Sequence, residues 1–266
     1  MLKRRRFLGL FFCLWIAFFP LTAAAQVINA AYVKALYQKY PTQKSDLCPG
    51  CKLWVNPYYR SVADTAAHRP LVTFYVYTKA HRELADSLDL PRTGQYAAWH
   101  AASGQPDETR LYRYANTLST DMIAKGHCQA WILLAWSADA AILSDTYTFN
   151  AAMEYQGQNI GTEIETEELC RKLTGFRVAA RTDSVRIWCG TFGRQQKVTL
   201  GKLTADIPSH YYKVIEYYDR LIGGVVTLCY WMPNLPTEKR SLLVRRMVSY
   251  DQLVRNLGFS PKNIFN

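Results

Sequence analysis

Residues 185–190 read Val185-Arg186-Ile187-Trp188-Cys189-Gly190, a short run of β-branched and aromatic side chains that ends at a glycine. Such a run predicts a buried strand. Two more strand-like runs follow at residues 211–215 and 225–232, and we expect them to form a strand pair. Upstream, residues 71–77 are also rich in β-branched and aromatic residues and predict another strand.

Helical patterns occur on both sides of these runs. Residues 162–173 place Ile164, Leu169 and Leu173 on one face, and the helix dipole favours the acidic residues near the start of this segment. Residues 241–257 predict a helix near the C-terminus. Because strands and helices are mixed without regular strand–helix–strand alternation, the sequence predicts an α+β fold.

The N-terminal segment has the layout of a secretory signal peptide. A basic run at residues 3–6 is followed by an apolar stretch at residues 7–21 and by Ala23-Ala24-Ala25. A retained membrane anchor is the alternative, but the apolar stretch is shorter than the roughly 20 residues that a spanning helix needs. We therefore predict cleavage. The predicted mature protein is one domain of residues 26–266 that has no membrane anchor and is periplasmic or secreted.

The predicted mature chain is basic. Loss of residues 1–25 removes four basic and no acidic residues, which lowers the formal charge from +11 to +7. A basic surface attracts polyanions such as nucleic acid, lipopolysaccharide and acidic glycans, and charge alone does not choose between them. The sequence leaves the oligomeric state open.

Six cysteines remain in the predicted mature chain, and an even set in an oxidising compartment indicates disulfides. Cys48-Pro49-Gly50-Cys51 has the spacing of a redox motif, but redox cysteines open a helix behind a strand, and here Ser45-Asp46-Leu47 precedes them. We predict a short structural disulfide between Cys48 and Cys51. The remaining four stand singly, which disfavours a zinc ribbon and leaves their pairing open: Cys128, Cys170, Cys189 and Cys229.

A histidine and two oxygen-bearing side chains stand out among the polar residues. His127 follows Gly126, which permits close backbone approach, and Lys125, whose charge suits a phosphate. Asn159 and Glu167 are eight residues apart, so that on a helix they lie near one face and look toward one ion. Taken alone, this spacing is more typical of helix capping and of a solvated acidic helix.

The order of these pieces resembles that of the DNA/RNA non-specific endonucleases of the ββα-metal class, over most of the mature chain. Members carry a D-R-G-H motif, an N-x-x-P-Q segment, an asparagine with a glycine two residues on, a glutamate, a strand ending in T-G, an I-P-T-H-F-F-K strand and an apolar strand closed by L-P-N. The similar segments here are Ala124-Lys125-Gly126-His127, Asn150-Ala151-Ala152-Met153-Glu154, Asn159-Ile160-Gly161, Glu167, Ile187-Trp188-Cys189-Gly190, Ile207-Pro208-Ser209-His210-Tyr211-Tyr212-Lys213 and Tyr230-Trp231-Met232-Pro233-Asn234. The match at residues 207–213 is the most specific.

The resemblance implies a ββα-metal nuclease fold with a mixed or antiparallel sheet and flanking helices. It implies an endonuclease that hydrolyses DNA and RNA with little sequence preference, in which His127 is the general base that activates water. Asn159 would hold one Mg²⁺, for which Mn²⁺ substitutes, and Glu167 would orient metal-bound water. Lys125 keeps the charge of the motif arginine, and Arg92 matches a family arginine near the phosphate.

The chain departs from the family pattern at several positions. Ala124 replaces the motif aspartate, and Lys125 lacks the planar fork of arginine. Asp121 is a candidate to take over part of the role of the missing aspartate, although its register differs from that of the motif. Glu154 replaces a glutamine, and Glu163 replaces an aromatic residue. These departures support a second hypothesis, a non-catalytic protein that binds nucleic acid or another envelope polyanion on the same fold.

Overall fold

The computed structural model describes residues 28–265, so the predicted signal peptide lies outside the described residues. This range contains strands β1 (Gln43–Lys44), β2 (Cys51–Val55), β3 (Arg60–Asp64), β4 (Arg69–Thr78), β5 (His100–Ala101), β6 (Ile123–His127), β7 (Thr146–Tyr147), β8 (Ala151–Tyr155), β9 (Ser184–Phe192), β10 (Gln196–Leu200), β11 (Leu203–Ile207), β12 (His210–Asp219), β13 (Gly224–Pro233) and β14 (Met247–Val248). The large sheet is antiparallel, in the order β1-β2-β3-β4-β9-β12-β13-β14. A smaller mixed sheet has the order β5-β7-β8-β6, and β10 and β11 form a separate ribbon.

Every strand predicted from the sequence lies in the large sheet. β4 contains residues 71–77, β9 contains residues 185–189, and β12 and β13 contain the predicted pair at residues 211–215 and 225–232. β12 is bonded to both β9 and β13, which places Lys213 between Cys189 and Tyr230. The strand predictions are therefore confirmed.

The same range contains helices α1 (Ala30–Gln38), α2 (Lys79–Leu88), α3 (Thr109–Leu118), α4 (Trp131–Leu134), α5 (Ala138–Ser144), α6 (Gln156–Gln158), α7 (Ile164–Leu173) and α8 (Tyr250–Leu257). The helix predicted at residues 162–173 is α7, which follows a π-helical turn at Asn159–Glu163. These helices beside antiparallel and mixed sheets confirm the α+β prediction. No helix within residues 28–265 has the length and apolar character needed to cross a membrane.

The single helix predicted for residues 241–257 is wrong in its first half. There the chain forms a 3₁₀ helix at Arg240–Arg246 and the edge strand β14, which pairs with Cys229 and Tyr230 of β13. Ser249 is extended, and its side chain accepts a hydrogen bond from the backbone N–H of Gln252 at 3.1 Å. This N-cap begins α8 as a new helix. Strand pairing by β14 and capping by Ser249 therefore interrupt the segment that the hydrophobic pattern predicted as one continuous helix.

Both faces of the large sheet are covered. Tyr211 and Ile215 of β12 join a core that includes side chains of α1, α5 and α7. Tyr212 and Val214 point to the opposite face, where α8 contributes to a second core. This alternation along β12 directs Lys213 toward α7, beneath the site described below.

The cysteines of the described chain comprise one pair at disulfide distance and four free thiols. Cys48 and Cys51 lie at disulfide distance, with Cα atoms 5.1 Å apart, where the chain enters β2. The other cysteines of the described chain are buried and free: Cys128, Cys170, Cys189 and Cys229.

Candidate functional site

The residues that the sequence indicated as functional line one pocket of about 220 Å³, called here the His127 pocket. They come from four separate segments: Arg92 from the loop after α2, Lys125 and His127 from β6, Asn159 from the π-helical turn and Glu167 from α7. The rest of the lining is apolar and consists of Trp131, Ile132, Ile160 and Ile164. The fold thus brings together all five predicted side chains.

The His127 pocket is built on a strand–strand–helix unit. β6 and β8 are antiparallel, with His127 opposite Ala151, and β8 continues directly into α6, the π-helical turn and α7. Position 126 requires glycine, because a Cβ there would lie 2.1 Å from Oε2 of the buried Glu154. The C-terminal end of β6 and the helical segment that follows β8 therefore both line the pocket.

His127 is held in one orientation by a buried carboxylate. Its Nε2 lies 2.7 Å from Oδ1 of Asp145, and the two residues are 7% and 1% exposed. Because a carboxylate accepts this hydrogen bond, Nε2 carries the proton and Nδ1 is the basic nitrogen. Burial lowers the pKa of His127 below its ordinary value, against the opposing effect of the Asp145 hydrogen bond. The ring is therefore neutral at pH 7 and able to accept a proton.

Asn150 links the two chain segments that carry this pair. Its Oδ1 accepts a hydrogen bond from the backbone N–H of Gln129 at 2.8 Å, and its Nδ2 donates to the carbonyls of Gln129 and Ser144, also at 2.8 Å. Gln129 follows the end of β6, and Ser144 precedes Asp145. These bonds join the segment that carries His127 to the segment that carries Asp145.

Two cations border the pocket. Nζ of Lys125 lies 5.1 Å from the ring centroid of Trp99, and burial lowers the pKa of Lys125 below its ordinary value. The guanidinium of Arg92 lies 5.4 Å from the ring centroid of Trp131, and its Nη2 is 3.8 Å from Oδ1 of Asp145. These side chains offer positive charge to an anion such as phosphate.

Asn159 and Glu167 supply side-chain oxygen atoms that are available to bind a ligand. Within residues 28–265, neither side chain makes a hydrogen bond or an ion pair to protein. Burial, opposed by Lys213 and assisted by Glu163, raises the pKa of Glu167 to about 7. A cation bound in the pocket would favour the ionised carboxylate.

Comparison with known proteins agrees with this geometry. The sequence model of the DNA/RNA non-specific endonucleases matches residues 41–263. The chain belongs to that family. Its fold is similar to that of the crystal structure of the EndoG/EndoGI complex, which concerns the mechanism of EndoG inhibition. The TM-score is 0.58 at 16% identity, over 79% of this chain and 86% of that chain. Among curated proteins, no sequence matches this chain. The family resemblance and the ββα-metal nuclease fold are thereby confirmed.

Nucleases of this non-specific endonuclease family depend on a divalent metal, and the His127 pocket fits an ion held largely by water. Within the described range of 28–265, no group of three or more His, Cys, Asp or Glu side chains is arranged to hold a metal. The pocket instead offers the amide oxygen of Asn159 and the carboxylate of Glu167, neither of which is hydrogen-bonded or ion-paired to another group of the described chain. One or two oxygen ligands completed by water are typical of Mg²⁺.

Asp145 was missed by the sequence analysis of this family member. Asp121, named there as the substitute acid, is exposed, and its backbone N–H bonds to Ser119 Oγ at 3.1 Å before β6 begins. It does not line the His127 pocket, so that suggestion is wrong. Asp145 reaches His127 only because the chain returns after α5 to the end of β6, and no motif or spacing marks that return.

A buried ion pair beneath the pocket was also missed. Glu163 and Lys213 are ion-paired with side chains that are each 1% exposed, and Lys213 Nζ donates to Thr166 Oγ1 at 2.9 Å. Glu163 replaces the usual aromatic residue, and Lys213 ends the matched segment 207–213. The lysine of the most specific motif therefore secures the π-helical turn that carries Asn159.

Proposed function

We propose that this chain is an exported, Mg²⁺-dependent endonuclease that hydrolyses phosphodiester bonds of DNA and RNA with little sequence preference. The observation that carries the proposal is the convergence of Arg92, Lys125, His127, Asn159 and Glu167 on one pocket. Membership of a nuclease family supports the same activity.

His127 acts as the general base in the proposed reaction. With its Nε2–H donated to Asp145, Nδ1 takes a proton from the water that attacks phosphorus. The bond from phosphorus to the departing 3′ oxygen breaks as the new bond forms. The lowered pKa of His127, caused mainly by burial, keeps the ring unprotonated near neutral pH.

The other pocket residues hold the phosphate and the metal. Asn159 would ligate Mg²⁺ through its amide oxygen, and Glu167 would orient metal-bound water. Bound there, Mg²⁺ supplies stabilisation of the negative charge that develops in the transition state. Lys125 and Arg92 would contact phosphate oxygens. Because such contacts are to phosphate and not to base edges, they accept DNA and RNA alike.

Export and the disulfide are parts of the same proposal. The predicted signal peptide directs the chain to an oxidising compartment, periplasmic or secreted, and the Cα separation of 5.1 Å suits a Cys48–Cys51 bond. Peptide mass mapping of the exported protein without reductant is expected to recover these cysteines linked and the chain beginning near Gln26. Free thiols at both positions, or bonds from them to distant cysteines, would contradict the disulfide.

Incubation of the purified protein with plasmid DNA and with RNA tests the activity. We expect cleavage of both in Mg²⁺ and of neither in a chelator. Ala124, which occupies the place of the motif aspartate, is the observation that favours the alternative of a non-catalytic binding protein. Tight binding of both nucleic acids without cleavage in Mg²⁺ would establish that alternative.

A further inference from the structure

A second cavity, of about 390 Å³, lies at the turn between β2 and β3 and shares no lining residue with the His127 pocket. We call it the Trp136 cavity. The chain just after α4 supplies Trp136 to it, whereas α4 itself supplies Trp131 and Ile132 to the His127 pocket. The two cavities are therefore lined by neighbouring residues of the segment 131–136.

Aromatic rings form one wall of the Trp136 cavity. His81 and Trp136 are stacked, with ring centroids 4.1 Å apart and planes 3° apart, and Tyr58 meets Trp136 edge-on at 5.7 Å. The Tyr75 hydroxyl orients this stack. It donates to the Leu133 carbonyl at 3.0 Å, accepts from Trp136 Nε1 at 2.8 Å and lies 3.0 Å from His81 Nδ1. Since these hydrogen bonds already hold the rings in place, binding a planar group would cost little side-chain entropy.

The wall of this cavity also contains an unsatisfied hydrogen-bond donor. Asn56 is 6% exposed, and its Oδ1 accepts from the backbone N–H groups of Tyr58 and Tyr59 at 2.9 Å each. Those two donors fix the orientation of the amide. Nδ2 is left buried without a hydrogen-bond partner in the described part of the chain. A ligand acceptor that reached Nδ2 would recover the free energy lost by its burial.

The charge of the Trp136 cavity is low. Arg60 is the permanently charged side chain among its described lining residues, and its Nη1 donates to the Phe265 carbonyl at 3.0 Å. A site for several backbone phosphates would present several cations. Aromatic rings with one cation and an amide donor instead match the flat faces and carbonyl edges of nucleobases.

We propose that the Trp136 cavity binds an unpaired nucleobase of the substrate strand, which stacks on the aromatic wall and offers a carbonyl oxygen to Asn56. The inference rests on the proposed nuclease function, because the occupant is a base of the strand that the proposed nuclease would cleave. A volume of about 390 Å³ lies within the range of small-ligand sites. Single strands are therefore the preferred substrates, since the bases of an intact duplex are stacked inside it.

Affinity measured in the presence of a chelator separates this inference from catalysis. Fluorescence anisotropy would compare a labelled oligothymidine, an abasic oligonucleotide of the same length and a duplex. Trp136→Leu is expected to weaken binding of oligothymidine about tenfold, the scale of one lost base–aromatic stack. Binding of the abasic strand is expected to stay at the parental level, because its phosphate contacts are intact.

Trp231→Leu is the matched control. Trp231 is a half-buried tryptophan that is also stacked on a histidine, His210, at 4.6 Å, and it does not line the Trp136 cavity. This variant is expected to bind both strands like the parent. Trp136→Phe keeps an aromatic ring and loses the Nε1 donor, so it is expected to retain most of the affinity and to show that the ring matters.

Parental affinity of Trp136→Leu for oligothymidine would overturn the inference. Equal losses on the oligothymidine and the abasic strand would also overturn it, since they would indicate a structural effect. If Trp136→Leu does not fold, His81→Ala takes its place. Its affinities for the oligothymidine and for the abasic strand are then interpreted in the same way. Failure of the parent to cleave nucleic acid in Mg²⁺ would reject the proposed function, whereas the affinities without metal judge the base site separately.

Discussion

Two buried histidines of this protein are each hydrogen-bonded to a buried carboxylate, in different surroundings. His127 Nε2 lies 2.7 Å from Asp145, and His68 Nδ1 lies 3.1 Å from Glu108. His127 ends a strand and lines a pocket that also holds two cations and two free oxygen acceptors. His68 has a left-handed φ of 51°, and its Nδ1 also lies 3.2 Å from Thr148 Oγ1 in the interior.

The comparison shows that a histidine–carboxylate pair is not in itself a catalytic feature. In both pairs the carboxylate holds one ring nitrogen. Chemistry additionally requires that the histidine border a space where water, phosphate and a cation meet. The His127 pocket provides that space. The surroundings therefore distinguish two histidine–carboxylate pairs that a search for paired side chains would treat alike.

The largest expected difference between the two sites is in cleavage rate. His127→Ala is expected to lower the single-turnover rate by roughly 10²–10⁴-fold, as for loss of a general base. Its affinity for nucleic acid should remain, because nucleic-acid binding depends mainly on attraction between basic side chains and phosphates, and this substitution leaves the basic side chains in place. His68→Ala is expected to cut at the parental rate but melt earlier, because Glu108 would lose a partner at a cost of about 1–3 kcal/mol.

Melting temperature, affinity at a stated salt concentration and single-turnover cleavage, all on the same preparations, distinguish the cases. A stable His127→Ala variant that cuts at the parental rate would remove His127 from the chemistry. A variant that loses stability and affinity together would make His127 a core histidine of the same kind as His68.

Removal of the metal ligand is expected to have the next largest effect. Asn159→Ala should lower the rate at low Mg²⁺ by on the order of 10²-fold, because a bound metal contributes several kcal/mol of charge stabilisation. High Mg²⁺ or Mn²⁺ should restore part of the rate, since Glu167 and the rest of the pocket remain. Rates measured across a metal titration test this, and an unchanged metal dependence would exclude Asn159 from the site.

Loss of the carboxylate from each pair tests the comparison directly. Asp145→Asn keeps the size of the side chain, but its amide donates to Nε2 and so favours the tautomer in which Nδ1 is protonated. We expect the rate to fall by about 10–100-fold, the scale for partners that orient a functional histidine. Glu108→Gln, the equivalent change beside His68, should leave the rate per folded molecule unchanged. Equal losses in both variants would indicate a stability effect.

Local patterns account for the parts of the fold that the sequence predicted. The strands at residues 71–77 and 185–189 could be predicted because a run of consecutive β-branched and aromatic side chains indicates a buried strand. The C-terminal helix prediction failed because periodicity does not reveal that Met247–Val248 pairs with β13. Such pairing depends on a partner that is distant in the sequence.

The residues of the candidate site likewise comprise some that local motifs predicted and some that only the structure reveals. The order of family motifs indicated His127, Asn159 and Glu167, which the fold places in one pocket. Asp145 lies 18 residues from His127 in sequence, and its contact depends on how the chain returns after α5. Lys213 likewise meets Glu163 across 50 residues. Neither contact leaves a local pattern, so only the three-dimensional structure shows them.

The smallest expected effect concerns the pH dependence of Mg²⁺ activation. Burial raises the pKa of Glu167 to about 7, so that without metal the carboxyl is protonated below that pH. A cation favours the ionised form, and its binding must then release the proton. The Mg²⁺ concentration for half-maximal rate is therefore expected to rise by up to about tenfold for each pH unit below 7 and to level off above it.

Glu167→Gln cannot ionise and is expected to flatten this dependence. Glu165→Gln, on the same helix but outside the His127 pocket, should keep the parental curve. A parental curve for Glu167→Gln would assign the titration to another group. His127 would then be the next candidate, and because burial lowers its pKa the dependence would move to lower pH. The response of Glu167→Gln thus tells whether the carboxylate of the pocket or another group is linked to metal binding.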